Sequence, residues 1–381
     1  MVGPFPPPSS SVVGGQVSAC KALRSGMFAA SFDLRLIDST QKSNPAPPLG
    51  IRAWHAMGRL LRLARELIAN RPDGVLLFTT VGASYLEKGC MARVCRALGV
   101  PQALFVRGGR LIEDFRRSKI QRLAIKTCLG RATLFLCQGP AWRRFAMSEL
   151  AYSLEQCPVI PNWTATGEYL SLGRARPIPR ASSRPRVVYS GWLERHKGIE
   201  ELLRAVLALR QEGRDFELTL IGNGTLMPWV TGFTRDNSLQ DCVRLEGWKS
   251  AAEVRNALAE HDVFVLPSWD EGMPNSLIEA MSARLACICS RVGMVPDFLT
   301  DRQHALLIEP RQVDDLIVAM RTLITDVALR ATLASKGFEL ASVTFAEDRV
   351  IPQLIAVLED SLLSRRNCAA TEFRRRFKCR A

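Results

Sequence analysis

Strand-like and helix-like segments alternate along all 381 residues, and this pattern restricts the fold more than any other feature. Apolar runs such as Val75–Thr79 and Val263–Pro267 have the length of buried strands, and longer amphipathic segments separate such runs. The same analysis predicts a strand over Phe32–Asp38 and one helix over residues 111–128. Alternation of this kind is typical of βαβ units, which build parallel sheets. Because a single core stops growing at roughly 250–300 residues, the sequence predicts an α/β protein with two doubly wound parallel-sheet domains.

The candidate linker between the two domains is a stretch rich in Pro, Ser and Arg, residues 171–186, which shows no periodicity. The sequence therefore predicts an N-terminal Rossmann-like domain over residues 1–170 and a second domain over residues 187–345. A last helix is predicted within residues 346–364. Residues 365–381 are rich in Arg and Lys, and we expect them to form a disordered basic tail.

The segment Leu266–Ala280, LPSWDEGMPNSLIEA, is the most informative one for function. A predicted strand runs into a polar loop, and Pro274 occupies a typical first position of a helix, whose N-terminus attracts anions. Gly272 would let a ligand approach the backbone closely. Glu271 on the loop and Glu279 on the helix could accept hydrogen bonds from the hydroxyls of a sugar and a ribose. The segment predicts a site for an anionic, hydroxyl-rich ligand.

The spacing of the two glutamates is not specific by itself, because short patterns recur by chance. Glu339 and Glu347 have the same spacing. That second pair spans the end of a predicted helix and follows neither a strand nor a glycine loop. The context therefore favours Glu271 and Glu279.

A second segment, Val187–Ala205, carries three basic residues between a predicted strand and a predicted helix. Arg195, His196 and Lys197 precede Gly198 at this turn, and cations beside such a turn suit a pyrophosphate group. A solvated basic loop is the alternative. We interpret His196 as a loop residue rather than an acid or base, because no carboxylate in the segment is placed to orient it.

Two glycine motifs carry weaker signals. Leu220–Gly224, LIGNG, follows a predicted strand, and a plain tight turn explains it as well as a ligand loop does. The opening Gly3–Gly15, GPFPPPSSSVVGG, could be a disordered leader. Because Gly14 and Gly15 lead directly into the helical segment Val17–Leu23, a phosphate-approaching loop is the competing interpretation.

Positive charge is concentrated in the first half of the chain. Residues 1–180 contain 25 Lys and Arg against 10 Asp and Glu, whereas the whole chain has a net charge of +14. A basic surface of this kind attracts phospholipid head groups, lipid-linked phosphates or nucleic acid, unless it serves solubility alone. The interleaved aromatic residues of nucleic-acid modules are missing, so we expect an anionic membrane surface as partner and no nucleic acid.

The remaining composition argues against export and against a metal centre. No apolar run reaches the roughly 20 residues of a membrane-spanning helix, and the N-terminus lacks the basic and apolar regions of a signal peptide. Eleven cysteines without a CxxC pair and only four histidines predict reduced thiols and no metal site. We therefore expect a cytoplasmic protein.

Several segments, in this order along the chain, together resemble a known family. They are GWLERHKG, LIGNG, LEGW and FVLPSWDEGMPNSLIEAM, preceded by the opening GPFPPP…GG and by VIPNWTATGEY. The chain resembles the family-4 retaining glycosyltransferases of bacterial type, also called glycosyl transferases group 1. The resemblance implies the GT-B fold, which has two facing Rossmann-like domains. TFAEDRVIPQLIAVLEDSL looks like the family's final helix, which crosses back to the first domain.

By this resemblance, Lys197 and Glu271 would be the catalytic residues. Lys197 would neutralise the donor diphosphate and Glu271 would hold hydroxyls of the transferred sugar. Glu279 would hold the ribose, and Gly14 and Gly15 would approach the phosphates from the other domain. The implied donor site is completed by Arg195, Gly222, Gly224, Gly272, Met273, Asn275 and Ser276. The family implies no metal ion and no cofactor, because the nucleotide sugar is a substrate, and we name no general base.

Three positions depart from the family's pattern. Trp192 stands where the family often has an arginine, and Arg195 is the expected substitute. Arg107, in FVRGG, occupies the region where many members have a histidine, so we assign it to the acceptor side. Only Met1 and Val2 precede the opening loop, so either the first strand is short or the true start is missing.

The sequence thus predicts a retaining glycosyltransferase. It would move a sugar from a nucleotide-sugar donor to a glycan or lipid-linked saccharide acceptor in cell-surface polysaccharide synthesis, at the inner face of a membrane. A sugar-nucleotide epimerase of the same fold is one alternative, but its acid and base residues are not evident among the four histidines. A non-catalytic basic protein that binds membrane surfaces is the other.

Overall fold

The computed structural model describes residues 1–6, 14–40, 47–80, 82–109, 111–177 and 184–363. The predicted basic tail, residues 365–381, lies outside the described residues. So do residues 7–13 of the predicted opening loop and residues 178–183 of the predicted linker. The described chain divides into two compact units, the first formed by the residues up to Asn162 together with residues 350–363, and the second by residues 163–349.

The first unit is built on a five-stranded parallel sheet with the order β2-β1-β3-β4-β5. Its strands are β1 (Val2–Gly3), β2 (Ile37–Asp38), β3 (Val75–Thr79), β4 (Gln102–Val106) and β5 (Leu134–Leu136). Every residue of β3 and β4 is buried. Such continuous burial is what a parallel sheet covered by helices requires.

Among the described residues, six helices lie between the strands of the first unit and a seventh, α7, follows the last strand. They are α1 (Gly15–Ala22), α2 (Gly26–Ser31), α3 (Leu49–Asn70), α4 (Ala83–Ala97), α5 (Leu111–Arg117), α6 (Lys119–Leu129) and α7 (Pro140–Leu150). The connections through α3, through α4 and through α5 with α6 all advance across the sheet in the same direction. Because parallel crossovers are right-handed, α3, α4 and α6 lie on one face of the sheet.

The second unit has a six-stranded parallel sheet with the order β11-β10-β9-β6-β7-β8. Its strands are β6 (Arg186–Ser190), β7 (Glu217–Ile221), β8 (Val243–Gly247), β9 (Val263–Leu266), β10 (Ala286–Ser290) and β11 (Leu306–Ile308). Its helices are α8 (Gly167–Ala175), α9 (Ile199–Gln211), α10 (Met227–Asp236), α11 (Ala251–Glu260), α12 (Asn275–Ser282), α13 (Val295–Phe298), α14 (Val313–Thr325) and α15 (Val327–Thr344). Both units are α/β parallel sheets, which confirms the predicted fold class.

The last helix, α16 (Glu347–Leu358), continues through a π-type turn over Glu359–Leu363. From Val350 onward the chain belongs to the first unit again. The Gln353 amide donates a hydrogen bond to the Val159 carbonyl at 3.1 Å, and the Leu362 side chain packs directly on Gly74. These contacts attach α16 to the first unit.

The segment predicted as a linker is partly helical, because α8 covers residues 171–175. Gly173 on α8 lies so close to α12 that a Cβ there would be 2.2 Å from the Ser282 carbonyl oxygen. The Ala165 amide also donates to the Phe345 carbonyl at 3.1 Å. The polypeptide from residue 163 therefore packs with the second unit, and not with the first domain as the sequence predicted.

Two other predicted elements differ in extent. The predicted helix over residues 111–128 is two helices, because the Ser118 side chain accepts a hydrogen bond from the Gln121 amide and starts α6 anew. The predicted strand Phe32–Asp38 is confined to Ile37–Asp38, since α2 ends at Ser31 and residues 33–36 after it form no strand. No helix in the described part of the chain is long and apolar enough to cross a membrane.

Candidate functional site

Two loops at the carboxyl edge of the second sheet form the centre of the candidate site. One follows β6 and contains a 3₁₀ turn, Arg195–Lys197, before α9; the other follows β9 and leads into α12. The two strands are neighbours, so their loops meet. Gly198 has a φ of +73°, and a Cβ there would be 2.0 Å from the Pro267 carbonyl oxygen. The Trp269 amide donates to the His196 carbonyl at 2.8 Å, so the loops are joined through their backbones.

Lys197 and Glu271, which lie on these two loops, form an ion pair. The distance from Lys197 Nζ to Glu271 Oε1 is 2.7 Å, and the side chains are only 18% and 14% exposed. An ion pair in so little water interacts more strongly than one on the surface. The structure thus brings together the cation and the carboxylate that the sequence singled out.

The N-terminus of α12 lies directly after this pair. Pro274 precedes the helix, and among the described residues no side chain caps it. The amides of the first turn, from Asn275 and Ser276 onward, therefore give the loop end a partial positive charge. The preceding loop is fixed by Gly293, which has a φ of +56° and approaches so closely that a Cβ would be 2.1 Å from the Glu271 carbonyl oxygen. The Gly272 carbonyl accepts a hydrogen bond from the Met294 amide at 2.8 Å, next to Met273.

Glu279 lies one turn into α12, where α8 packs against the helix. Desolvation raises the pKa of its carboxyl from 4.5 to about 7, although a hydrogen bond with the Tyr169 hydroxyl opposes this shift. Tyr169 is buried in α8, and burial also raises the pKa of its hydroxyl. The Glu279 carboxyl therefore carries a proton more readily than an exposed one, and a hydroxyl that donates a hydrogen bond to it favours its ionised form.

The glycines of the LIGNG turn pack against the loop after β6. Gly222 has a φ of +141°, and a Cβ there would be 1.8 Å from the Gly191 carbonyl oxygen. A Cβ on Gly224 would be 2.4 Å from the Leu193 carbonyl oxygen. These close backbone contacts are enough to explain why both positions are glycine. The turn therefore holds the loop after β6 in place.

Arg195 pairs with Glu200 and approaches the Trp269 ring. Its Nε lies 3.4 Å from Glu200 Oε1, and its guanidinium lies 5.9 Å from the centre of the Trp269 ring. Arg311 approaches the same ring at 4.4 Å. The structure therefore places two cations around Trp269, an arrangement the sequence did not suggest because Arg311 belongs to a distant loop.

Trp192 packs on another exposed tryptophan, Trp248, with their ring centres 5.8 Å apart. Both rings follow strands of the sheet, β6 and β8 respectively, at its carboxyl edge. Aromatic faces at such an edge suit the apolar faces of sugars and bases. This pair, not an arginine, occupies the position where the sequence departs from the family's pattern.

The remaining predicted residues lie in the first unit. Gly14 has an extended backbone and precedes α1, which starts at Gly15. Arg107 follows β4, and its Nη2 donates to Asn162 Oδ1 at 2.8 Å, while Gln138 Nε2 donates to the same oxygen at 2.6 Å. Burial lowers the pKa of Arg107 to about 10. Arg107 is thus part of a polar network at the carboxyl edge of the first sheet.

Within the described ranges, no group of three or more His, Cys, Asp or Glu side chains could hold a metal ion. Tyr169 and Gly293 are the site residues that the sequence analysis missed. Tyr169 lies in the segment interpreted as the end of a domain, and Gly293 is an isolated glycine after a strand. Of the two, only Gly293 has a signal in the sequence, since a glycine after a strand often marks a close backbone contact.

Residues 184–326 match the family described as Glycosyl transferases group 1. The chain is 34% identical over 120 residues to the amylovoran biosynthesis glycosyltransferase AmsK of Erwinia amylovora, which is 30% of each chain. It is 28% identical over 241 residues to the putative teichuronic acid biosynthesis glycosyltransferase TuaC of Bacillus subtilis, covering 61% of this chain and 57% of that one. With the lipopolysaccharide core glycosyltransferase LpsE of Rhizobium meliloti it shares 26% identity over 56% of this chain and 60% of that one. The chain spans between about a third and 60% of the length of these relatives.

Two solved structures resemble the fold over most of the chain. Sucrose-phosphate synthase from Thermosynechococcus elongatus has a TM-score of 0.65 at 20% identity, covering 88% of this chain and 84% of that one. Anabaena HepE in complex with UDP has a TM-score of 0.63 at 16% identity, covering 86% of each chain. Both are GT-B glycosyltransferases, which confirms the predicted GT-B fold. The match at residues 184–326 and the curated relatives do not favour the epimerase or the non-catalytic alternative.

Proposed function

We propose that the protein is a glycosyltransferase that moves a sugar from a nucleotide-diphosphate donor to a glycan or lipid-linked saccharide acceptor. The domain at residues 184–326 and the relatives named for amylovoran, teichuronic acid and lipopolysaccharide core synthesis support this activity and a role in cell-surface polysaccharide synthesis. The observation that carries the proposal is the ion pair between Lys197 and Glu271 beside the N-terminus of α12.

The arrangement offers separate contacts for the diphosphate and for the sugar of a nucleotide-sugar donor. The diphosphate would replace Glu271 as the ion-pair partner of Lys197. It would also accept hydrogen bonds from the first-turn amides of α12. The Glu271 carboxylate would then accept hydrogen bonds from hydroxyls of the transferred sugar, and Glu279 from those of the ribose. Negative charge develops on the diphosphate as the sugar leaves, and a preorganised cation and helix terminus stabilise that charge.

The finer parts of the proposal are a retained anomeric configuration, no need for a metal ion or cofactor, and a peripheral location at the inner face of a membrane. Arg195, Gly222, Gly224, Gly272 and Met273 remain proposed donor-site residues on the second unit, and Gly14, Gly15 and Arg107 remain proposals on the first. An anionic lipid surface is the proposed macromolecular partner, and nucleic acid is not. The configuration of the product, read from its anomeric proton signal, tests retention directly.

The test uses two substitutions that should act differently on binding and on transfer. Glu271→Gln should lower transfer at least 100-fold. It should leave the affinity for the nucleoside diphosphate unchanged or raise it, because Glu271 no longer competes for Lys197. Lys197→Ala should weaken diphosphate binding as well, which a thermal-shift titration with UDP, GDP and ADP and their sugars would measure.

Glu339→Gln is the matched control, since Glu339 is an exposed glutamate of the second unit that pairs with Lys336 on α15. It should change neither binding nor transfer. Undiminished transfer by Glu271→Gln, or failure of every nucleotide sugar to bind the wild type, would overturn the proposal.

A further inference from the structure

Helix α3 is apolar on two opposite faces. Leu63 and Leu67 are buried against the sheet. Trp54, Leu61 and Ile68 follow one another at intervals of seven residues, which places them in one line along the helix. Trp54 is 77% exposed and Leu61 is 64% exposed. A helix of a globular protein needs only one apolar face for its own core, so the second line is available to a partner.

Helix α6 repeats this arrangement. Ile125 and Leu129 are fully buried, whereas Ile120 and Leu123 lie on the opposite side and Ile120 is 81% exposed. Exposed apolar side chains of this size are ordinary when single. Two helices that each carry such a line form a larger surface.

The two exposed lines belong to one face of the first unit, because α3, α4 and α6 cover the same side of the sheet. Arg59 on α3 forms an ion pair of 2.6 Å with Glu87 on α4. On the other side of α4, Gly89 lies so close to α6 that a Cβ there would be 2.5 Å from the Cys128 Cβ. The helices therefore form one continuous layer, whose outer face we call the α3–α6 face.

Basic residues surround the apolar side chains of the α3–α6 face. Exposed examples are Arg62 and Arg65 on α3, Arg93 on α4, and Lys119, Arg122 and Lys126 on α6. Among the described residues of the four helices α3, α4, α5 and α6, Glu113 is the one acidic residue that is exposed. Two copies of such a face would repel each other, which argues against a homodimer through it.

We infer that the α3–α6 face docks on an anionic lipid bilayer, with Trp54, Leu61 and Ile120 entering the interfacial region. Amphipathic helices at bilayer surfaces combine apolar side chains with Lys and Arg that meet anionic head groups, and tryptophan prefers that depth. The α3–α6 face is thus the surface through which the proposed membrane association would occur. The inference rests on the proposed function in one respect, because docking would bring a lipid-linked acceptor to the enzyme. Its evidence is independent of the donor site.

The test measures co-sedimentation of the full chain with vesicles of phosphatidylcholine, with and without phosphatidylglycerol. The wild type should bind only the anionic vesicles, and added salt should release it. Each basic residue near such a surface contributes about 1 kcal/mol, so Arg62→Gln with Arg65→Gln should weaken binding about 25-fold. Trp54→Ser should weaken it at least about ten-fold, because the lost ring no longer leaves water.

Val343→Ser and Arg204→Gln are the controls, because both residues are on helices of the second unit and each side chain is 59% exposed. They should bind vesicles as the wild type does. All variants should bind nucleotide sugars unchanged in thermal-shift titrations, so a failure of the proposed function would be seen separately.

Three results would overturn the inference: no binding of the wild type to anionic vesicles, equal losses in the control variants, or a dimer in the absence of lipid that Trp54→Ser dissociates. The last result would assign the α3–α6 face to a second copy of the chain.

Discussion

The Glu279 carboxyl is expected to make the stability of the protein fall as the pH rises from about 4.5 to about 7. Its pKa is raised from 4.5 to about 7 by desolvation, so over this interval the native state binds a proton that the unfolded state has released. Each pKa unit corresponds to 1.36 kcal/mol, which gives about 3 kcal/mol for this one group. At about pH 4 the carboxyl is protonated in both states and does not lower the free energy of unfolding. Above about pH 7 it is ionised in both states, and the free energy of unfolding is lower by the full amount.

Glu279→Gln removes this titration while keeping a side chain of the same shape and one that resembles the protonated acid. The free energy of unfolding, measured with urea from pH 4 to pH 8, should therefore differ little between variant and wild type at pH 4. At pH 8 the variant should be more stable by about 3 kcal/mol.

Glu339→Gln is again the control and should leave the pH profile of the wild type unchanged. Parallel pH profiles for Glu279→Gln and the wild type would refute the reasoning. They would mean that the carboxyl stays hydrated in the folded protein.

Three further outcomes test other parts of the structure and of the proposed function. Tyr169→Phe removes a hydrogen bond that favours the ionised carboxyl, so the loss of stability should extend to higher pH in the same urea titrations. Gly222→Ala should lower the free energy of unfolding by about 2–4 kcal/mol, because its Cβ would be 1.8 Å from the Gly191 carbonyl oxygen, whereas Gly232→Ala in the open helix α10 should raise it by about 0.5–1 kcal/mol; equal effects would contradict the packing argument. Transfer should be unchanged by a chelator, and a loss that added Mg²⁺ reverses would contradict the proposed metal independence.

The long elements were predictable because their periodicity extends over several turns or a full buried strand. Strand β3 has the predicted bounds, Val75–Thr79, and β9 ends one residue before the predicted Pro267, since an uninterrupted apolar run marks each of them. Helix α8 was not predicted, because nine residues beside a proline-rich stretch carry too little pattern. Its assignment to the second unit depends on the contact of Gly173 with Ser282, which no local pattern encodes.

The candidate site was predictable as far as its chemistry lies within single segments. Lys197 and Glu271 each follow a strand, and neighbouring parallel strands bring such residues to one edge. That Arg195 turns towards Glu200 instead could not be inferred, because side-chain directions in a short loop depend on tertiary contacts. The same holds for Tyr169, whose approach to Glu279 requires α8 to fold back on α12. The catalytic and binding roles of all these residues stay predictions.

The backbone contact between Gly198 and Pro267 has a consequence for how such a site can change over time. An insertion or deletion in either loop would displace the lysine and the glutamate together, because neither loop can shift without the other. A change in loop length is therefore an unfavourable route to a new ligand preference at this end of the sheet. Divergence would instead proceed by exchanging side chains on a fixed backbone, such as those of Trp192 and Trp248.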